Sequence, residues 1–373
     1  MRSSWLLLVA AGVQAGAGQL GNAPTSAANA VLKSGVEARQ RGDLKAAIAE
    51  FKKALAADPG NLDAHIDLGE ALAAAGQLDA AIAEDRHALG IAPGSEQTHL
   101  NLGMAYYRKG DLPHARSEFE TVHAARPSDL KTAVLLGYTY NKMDRPLETV
   151  ELLSPLEAGH ESDNELEYGL AYALIQTGRG EEGLPRMEKV AAATHSADAW
   201  LLAGATWLNR SKMSEARTDL DAALKLNPAI PGLYTMDAEA HYAMGDADIA
   251  VQRYEEGLKA NPMDFTANLD LGDILMEKGD LEGARPLLEL AYQLQPGFPR
   301  ARLEMAKVKE MSGDYAEAAT MLEELLKAEP NWLAPHWELS SVYFKLDRPE
   351  DGKREREIVK RLQVEQGQKS QQK

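Results

Sequence analysis

The feature that most restricts this chain is a spacing. Gly35, Gly69, Gly103 and Gly137 stand 34 residues apart, and Ala171, Gly204, Ala238, Gly272, Ala306 and Ser340 continue the series with a single step of 33. Twelve residues after each lies a second series, from Ala47, Ala81 and Ala115 through Thr149, Gly183, Ala216, Ala250, Ala284 and Ala318 to Gly352. Prolines supply a third, at Pro59, Pro93 and Pro127 and again at Pro228, Pro262, Pro296 and Pro330. Pro127 and Pro228 are 101 residues apart, one short of three periods, so the frame survives where the prolines are missing. A period of this length holds one supersecondary unit that cannot bury its own apolar faces, so successive units must stack.

The pattern inside one period says what the unit is. In residues 62–95, Leu68, Gly69 and Leu72 share one small, apolar helix face. Gly69 and Ala81 let two helices approach closely, where larger side chains would force them apart. Gly76 suits the turn between them, because glycine takes positive φ without steric cost. Pro93 closes the unit.

In the third repeat these positions read His99, Leu102-Gly103, Tyr106, Gly110-Asp111-Leu112, Ala115, Phe119 and Pro127. This resembles the tetratricopeptide repeat family, which often has tryptophan at the place of His99; Trp200 supplies it in the sixth repeat. The resemblance covers ten repeats: 28–61, 62–95, 96–129, 130–163, 164–196, 197–230, 231–264, 265–298, 299–332 and 333–366. It implies an all-α fold, an α-solenoid wound as a right-handed superhelix of helix–turn–helix units.

Two stretches depart from the pattern. Repeats four and five lack the closing proline and place Pro146, Gly180, Gly183 and Pro185 where helix formers or the packing alanine belong, so a more mobile joint is expected around 154–196. The last repeat is polar nearly all round in its second helix and keeps only Ile358, Val359 and Leu362 for the core, as an end cap requires. The Gln-rich tail 367–373 is expected to be disordered.

The first residues read as an export signal. Arg2 precedes an apolar run from Trp5 to Val13, and Ala15-Gly16-Ala17 offers small residues for cleavage after 17. That run is too short to span a bilayer, and no later segment is apolar enough, so a mature chain free of membrane insertion, periplasmic or secreted, is expected after a flexible leader at 18–27.

No cysteine is present among the 373 residues, which excludes a disulfide framework, a thiolate metal site and a thiol nucleophile. A net charge of −17 argues against nucleic acid as a partner. Gly16-x-Gly18-x-x-Gly21 and Gly178-x-Gly180-x-x-Gly183 match a dinucleotide fingerprint only in letters, since neither follows a strand. His65, His99 and His336 share one repeat position, where packing is favoured over a shared metal; Glu84-x-x-His87 has no second copy to complete a di-iron site. No catalytic constellation, cofactor or metal is expected.

In the family, first helices line a concave groove. The residues five, nine and twelve places into a repeat share that face: Leu100, Met104 and Tyr107; Val134, Tyr138 and Asn141; Tyr168, Tyr172 and Ile175; Leu201, Ala205 and Leu208. Further on the face turns acidic at Glu239, beside Tyr242, and at Asp273. The lysine, arginine and asparagine set with which one branch of the family grips a C-terminal carboxylate is mostly absent. The expected function is a non-catalytic scaffold holding a protein or peptide in the groove, in assembly or recruitment of envelope or secreted proteins; the alternative is a substrate-presenting subunit of a transferase or polysaccharide-export machine. Tyr138→Ala with Tyr172→Ala is expected to abolish capture without unfolding the chain.

Overall fold

A computed structural model describes residues 26–371. The export signal and leader residues 18–25 lie outside the described residues. The regular elements described are twenty α-helices and one short 3-10 turn, with no strand among the described residues.

The chain forms two compact units, Met1–Gly183 and Leu184–Lys373. The first unit holds α1 (Ser26–Gln40), α2 (Leu44–Ala57), α3 (Leu62–Ala74), α4 (Leu78–Ile91), α5 (Glu96–Lys109), α6 (Leu112–Ala125), α7 (Leu130–Lys142), α8 (Pro146–Leu153) and α9 (Asn164–Gln176). The division falls inside α10 (Gly180–Thr194), within the stretch expected to be irregular. The second unit continues with α11 (Ala197–Asn209), α12 (Met213–Leu226), α13 (Leu233–Ala243), α14 (Ala247–Ala260), α15 (Phe265–Glu277), α16 (Leu281–Leu294), α17 (Pro299–Met311), α18 (Tyr315–Ala328), α19 (Leu333–Lys345) and α20 (Pro349–Gln371). The fold is all-α, an α-solenoid of paired helices.

The glycine ladder has a steric cause. A Cβ on Gly103 would sit 2.6 Å from the Phe119 ring, and one on Gly272 2.6 Å from Leu288, so each glycine seats a large side chain from sixteen residues on. Phe51, Phe119, Leu153, Leu220 and Leu288 fill that seat fully buried. In the second repeat the seat opposite Gly69 holds Asp85, 1% exposed, with its Oδ1 lacking any hydrogen-bond partner. Burial pushes the Asp85 carboxyl up to about 8, with Glu70 and Glu84 adding to it.

Each pair turns through one residue of positive φ, such as Gly76 at 76°. Gln77 N–H closes this turn by donating to the Leu72 carbonyl at 2.9 Å. Asp144, Ser211 and Asp347 adopt the same left-handed conformation without being glycine, at φ 58°, 58° and 56°.

The shared histidine position is a clip. His99 Nε2 lies 2.9 Å from the Pro93 carbonyl and Nδ1 lies 2.6 Å from Glu118; His65 bridges Pro59 and Glu84 likewise, and His336 bridges Pro330 and Glu355. Asn268 donates to the Pro262 carbonyl from the same place, and Arg302 to that of Pro296. Each clip ties a first helix to its own second helix or to the turn before it. This consumes the histidines and Glu84, while His87 stacks on His65 with centroids 5.5 Å apart.

The irregular stretch is visible in α8, which has eight residues and gives way to a 3-10 turn at Ser154–Leu156, and in Pro185 within α10. In α20, Val359 and Leu362 are buried and Ile358 is half-buried. Its basic residues are answered by interleaved acids, Lys353 by Glu350 at 2.7 Å and Lys360 by Glu357 at 2.7 Å.

Two boundary expectations are corrected. Helix α1 starts at Ser26, inside the stretch read as leader, because alanines there favour helix. Helix α20 is described as far as Gln371, into the stretch 367–373 read from sequence as a disordered tail.

Candidate functional site

In the first unit the expected groove residues divide into two sets. Leu100, Met104, Tyr168, Tyr172 and Ile175 are half-buried. Tyr107 and Val134, 6% and 3% exposed, belong to the core: Tyr107 clusters with Leu135 and Leu136, and Val134 with Leu166 and Leu170. Adjacent first helices close over those positions, so they offer a ligand little surface.

Tyr138 and Asn141 are braces. The Tyr138 hydroxyl donates to the Glu165 carbonyl at 2.8 Å and its ring meets Tyr168 edge-on at 6.2 Å, while Asn141 Nδ2 donates to the Gly169 carbonyl at 3.0 Å. Burial holds the Tyr138 phenol well above its ordinary range. Its truncation therefore loosens α7 from α9, and Tyr138→Ala no longer serves as a purely functional probe.

In the second unit Leu201 and Leu208 are half-buried and pack on the cluster around Leu220 and Leu233. Tyr242 is 40% exposed and its hydroxyl donates to Glu277 Oε2 at 2.7 Å. From here the first-helix face is ionic. Arg300 reaches from α17 to two carboxylates of α15, Asp270 at 2.6 Å and Asp273 at 2.7 Å. Tyr254 donates to Asp270 at 3.2 Å, Lys307 pairs with Glu304 at 2.9 Å, and Ser341 donates to Glu310 at 2.7 Å.

Acids outnumber bases here, and burial raises several of them. Glu239 is pushed up to about 7 by burial and by the nearby Asp270 and Asp264. Asp270, Glu304 and Glu338 are raised for the same first reason. Glu239, Tyr242, Tyr254, Asp270, Asp273, Ile274 and Arg300 surround a cavity of about 210 Å³.

One trio among the described residues has metal-ligand geometry: Asp221, Asp237 and His241, with ligand atoms within 4.8 Å of one another. Arg253 already stands among them, Nε 2.8 Å from Asp237 and Nη2 3.3 Å from Asp221. The guanidinium supplies the positive charge a metal would bring, so the trio reads as an ion-pair network.

Sequence reasoning missed Asp270, Tyr254 and Arg300. A signal was available: Arg300 follows Asp270 by 30 residues, and Ser341 follows Glu310 by 31, the offset at which neighbouring first helices face each other. Trp337, 56% exposed, stands five places into repeat ten and satisfies the rule that gave Leu100 and Tyr168.

The fold defines an all-α helical-repeat protein. The chain belongs to the tetratricopeptide repeat family: models of that repeat match residues 168–231 and 235–299, 38–84 and 275–343, and 97–121. Members generally mediate protein–protein interaction. It is similar to the TPR repeat-containing protein YpiA of Bacillus subtilis, 24% identical over 184 residues, which span 49% of this chain and 44% of that relative. The crystal structure of a tetratricopeptide repeat protein from Parabacteroides merdae matches with a TM-score of 0.52 at 14% identity, covering 71% of this chain and 98% of that one. YrrB, described as a TPR protein with an unusual peptide-binding site, matches more loosely, with a TM-score of 0.43 at 22% identity over 52% of this chain and 97% of its own. No described helix is long and apolar enough to cross a membrane.

Proposed function

We propose that this chain is a non-catalytic scaffold that holds a protein or peptide partner on its first-helix faces, outside the cytoplasm, in assembly or recruitment. The observation that carries the reading is the state of Met104, Tyr168, Tyr172 and Ile175. These adaptable side chains are half-buried on α5 and α9, two first helices of one unit, and keep part of their surface open. Surfaces of this kind accept an extended or helical segment without a deep pocket. Export rests on the apolar run Trp5 to Val13 and the small residues Ala15-Gly16-Ala17 that follow it.

The test is site-specific photocrosslinking in the cells that make the protein, from positions 104 and 172 on the face and from 52 on the exposed side of α2. One discrete adduct from 104 and 172, absent from 52, is expected. The same adducts from all three positions, or none from the face, overturns the reading.

A further inference from the structure

We propose that the cavity between α13, α15 and α17 receives one basic side chain, a lysine or arginine, of the protein held on that face. The inference rests on the scaffold reading above and gives part of its surface a chemistry.

Size comes first. About 210 Å³ lies below the roughly 300 Å³ at which small-molecule pockets begin, and matches a single long side chain. The walls come next. Tyr242 and Ile274 offer apolar surface to a methylene stem, and Glu239, Asp270 and Asp273 offer carboxylates to its head. Lysine and arginine are the side chains that bury a stem while keeping a charged head paired.

Charge then selects the sign. Three carboxyls line the cavity and one cation, Arg300, answers two of them at 2.6 and 2.7 Å. Glu239 faces Asp270 and Asp264 without a cation, and the proximity of these acids works against its ionisation. Folding does not require an acid there: the equivalent place holds Ala205 in the sixth repeat and Lys307 in the ninth, while Asp273 of the eighth is itself one of the cavity's acids. An uncompensated acid in a tyrosine-walled cavity is a local cost that a bound cation removes. An anionic group would meet the opposite, three acids against one cation already paired with two of them. Arg300 itself shows how such acids hold a guanidinium, in a fork across two carboxylates.

The test uses the full chain and a labelled Gly/Ser nonapeptide carrying three arginines, read by anisotropy at physiological salt. The same peptide with citrulline, the neutral isostere, is the control. Glu239→Gln is expected to weaken the arginine peptide about tenfold and to leave the citrulline peptide unaffected, whereas Glu282→Gln, an exposed acid on α16, changes neither. Wild-type affinity is expected to rise from pH 6 to 8 as Glu239 ionises among Asp264 and Asp270, Tyr254 of α14 and Arg300 of α17, and the rise is lost in Glu239→Gln.

Equal weakening by Glu239→Gln and Glu282→Gln would mean diffuse attraction to an acidic chain and overturns the pocket, as does no weakening by either. Because Glu239→Gln removes a carboxyl already disfavoured by burial, its melting temperature should match or exceed that of the wild type. If crosslinks from 104 and 172 persist while the arginine peptide ignores Glu239, only the pocket falls. If the peptide depends on Glu239 and the face yields no crosslink, the scaffold reading falls instead.

Discussion

The two units place different chemistry on the same helices. In the first, tyrosines and an asparagine on α7 and α9 bind first helix to first helix through ring contacts and main-chain carbonyls. In the second, α13, α15, α17 and α19 are tied through carboxylates, with Arg300 and Lys307 set among more acids than they can neutralise. One face is apolar, half-buried and braced by polar tips that donate to main-chain carbonyls, and the other holds charge off balance. The difference teaches that stacking does not dictate what the first helices carry. The pairing of helices within each repeat is secured elsewhere, by the glycine seats and the histidine clips.

Asp85 breaks that division, because it puts an unpaired acid in the first unit, in a core seat and not on the face. Its folded pKa of about 8 lies above the unfolded value of 3.8. Its contribution is therefore fully present below about pH 4 and is lost as pH rises toward 8. Asp85→Leu, the residue type of Leu153 and Leu288, should raise stability by about 3–4 kcal/mol at pH 7 and flatten the profile above pH 5. Urea unfolding at pH 5 and 8 decides it; no gain at pH 8 would show that the carboxyl is not a burden.

Tyr138→Ala should cost about 2–3 kcal/mol, a share of the full aromatic truncation penalty since the ring is half-buried. Tyr138→Phe should cost about 1 kcal/mol, isolating the bond to the Glu165 carbonyl. Similar losses from both would assign the brace to the hydroxyl alone.

Glu239 gives the second unit a smaller effect of the same sign as Asp85. Its folded pKa of about 7 exceeds the ordinary 4.5, so stability falls as pH climbs through that interval. Partial solvent screening limits the change to about 1 kcal/mol. Glu239→Gln should abolish this slope, measured as the change in denaturation midpoint from pH 5 to 8.

The smallest test should ignore the difference between units. Asp144 in the first and Ser211 in the second hold the same left-handed turn, so Asp144→Gly and Ser211→Gly should each gain about 0.5–1 kcal/mol by thermal melting. Unequal results would mean that the two turns are under different strain.

The repeat was legible because small residues and turn glycines answer to forces inside one period. Gly103 must be small to admit Phe119, and Gly76 takes a left-handed turn, so each leaves a mark at fixed spacing. The face was legible only as a direction. Tyr107 and Val134 satisfy the helical periodicity yet are covered, because one helix's pattern does not say how closely the next helix lies. Arg300 was hidden for a related reason: its partners sit 27 and 30 residues away, an offset set by the stagger between repeats. Asp85 runs against the rule for its seat, and nothing in the local pattern flags it.

The clip has a consequence for heredity. Pro59, His65 and Glu84 fall within twenty-six residues, less than one period, and so do Pro93, His99 and Glu118. A duplication that copies a single period in register copies proline, histidine and glutamate together, and the newborn repeat arrives with its own fastening. A gene of this kind can lengthen or shorten by whole repeats without first evolving a matching neighbour, while any chemistry that spans two periods, as Arg300 and its aspartates do, has to be assembled afterwards.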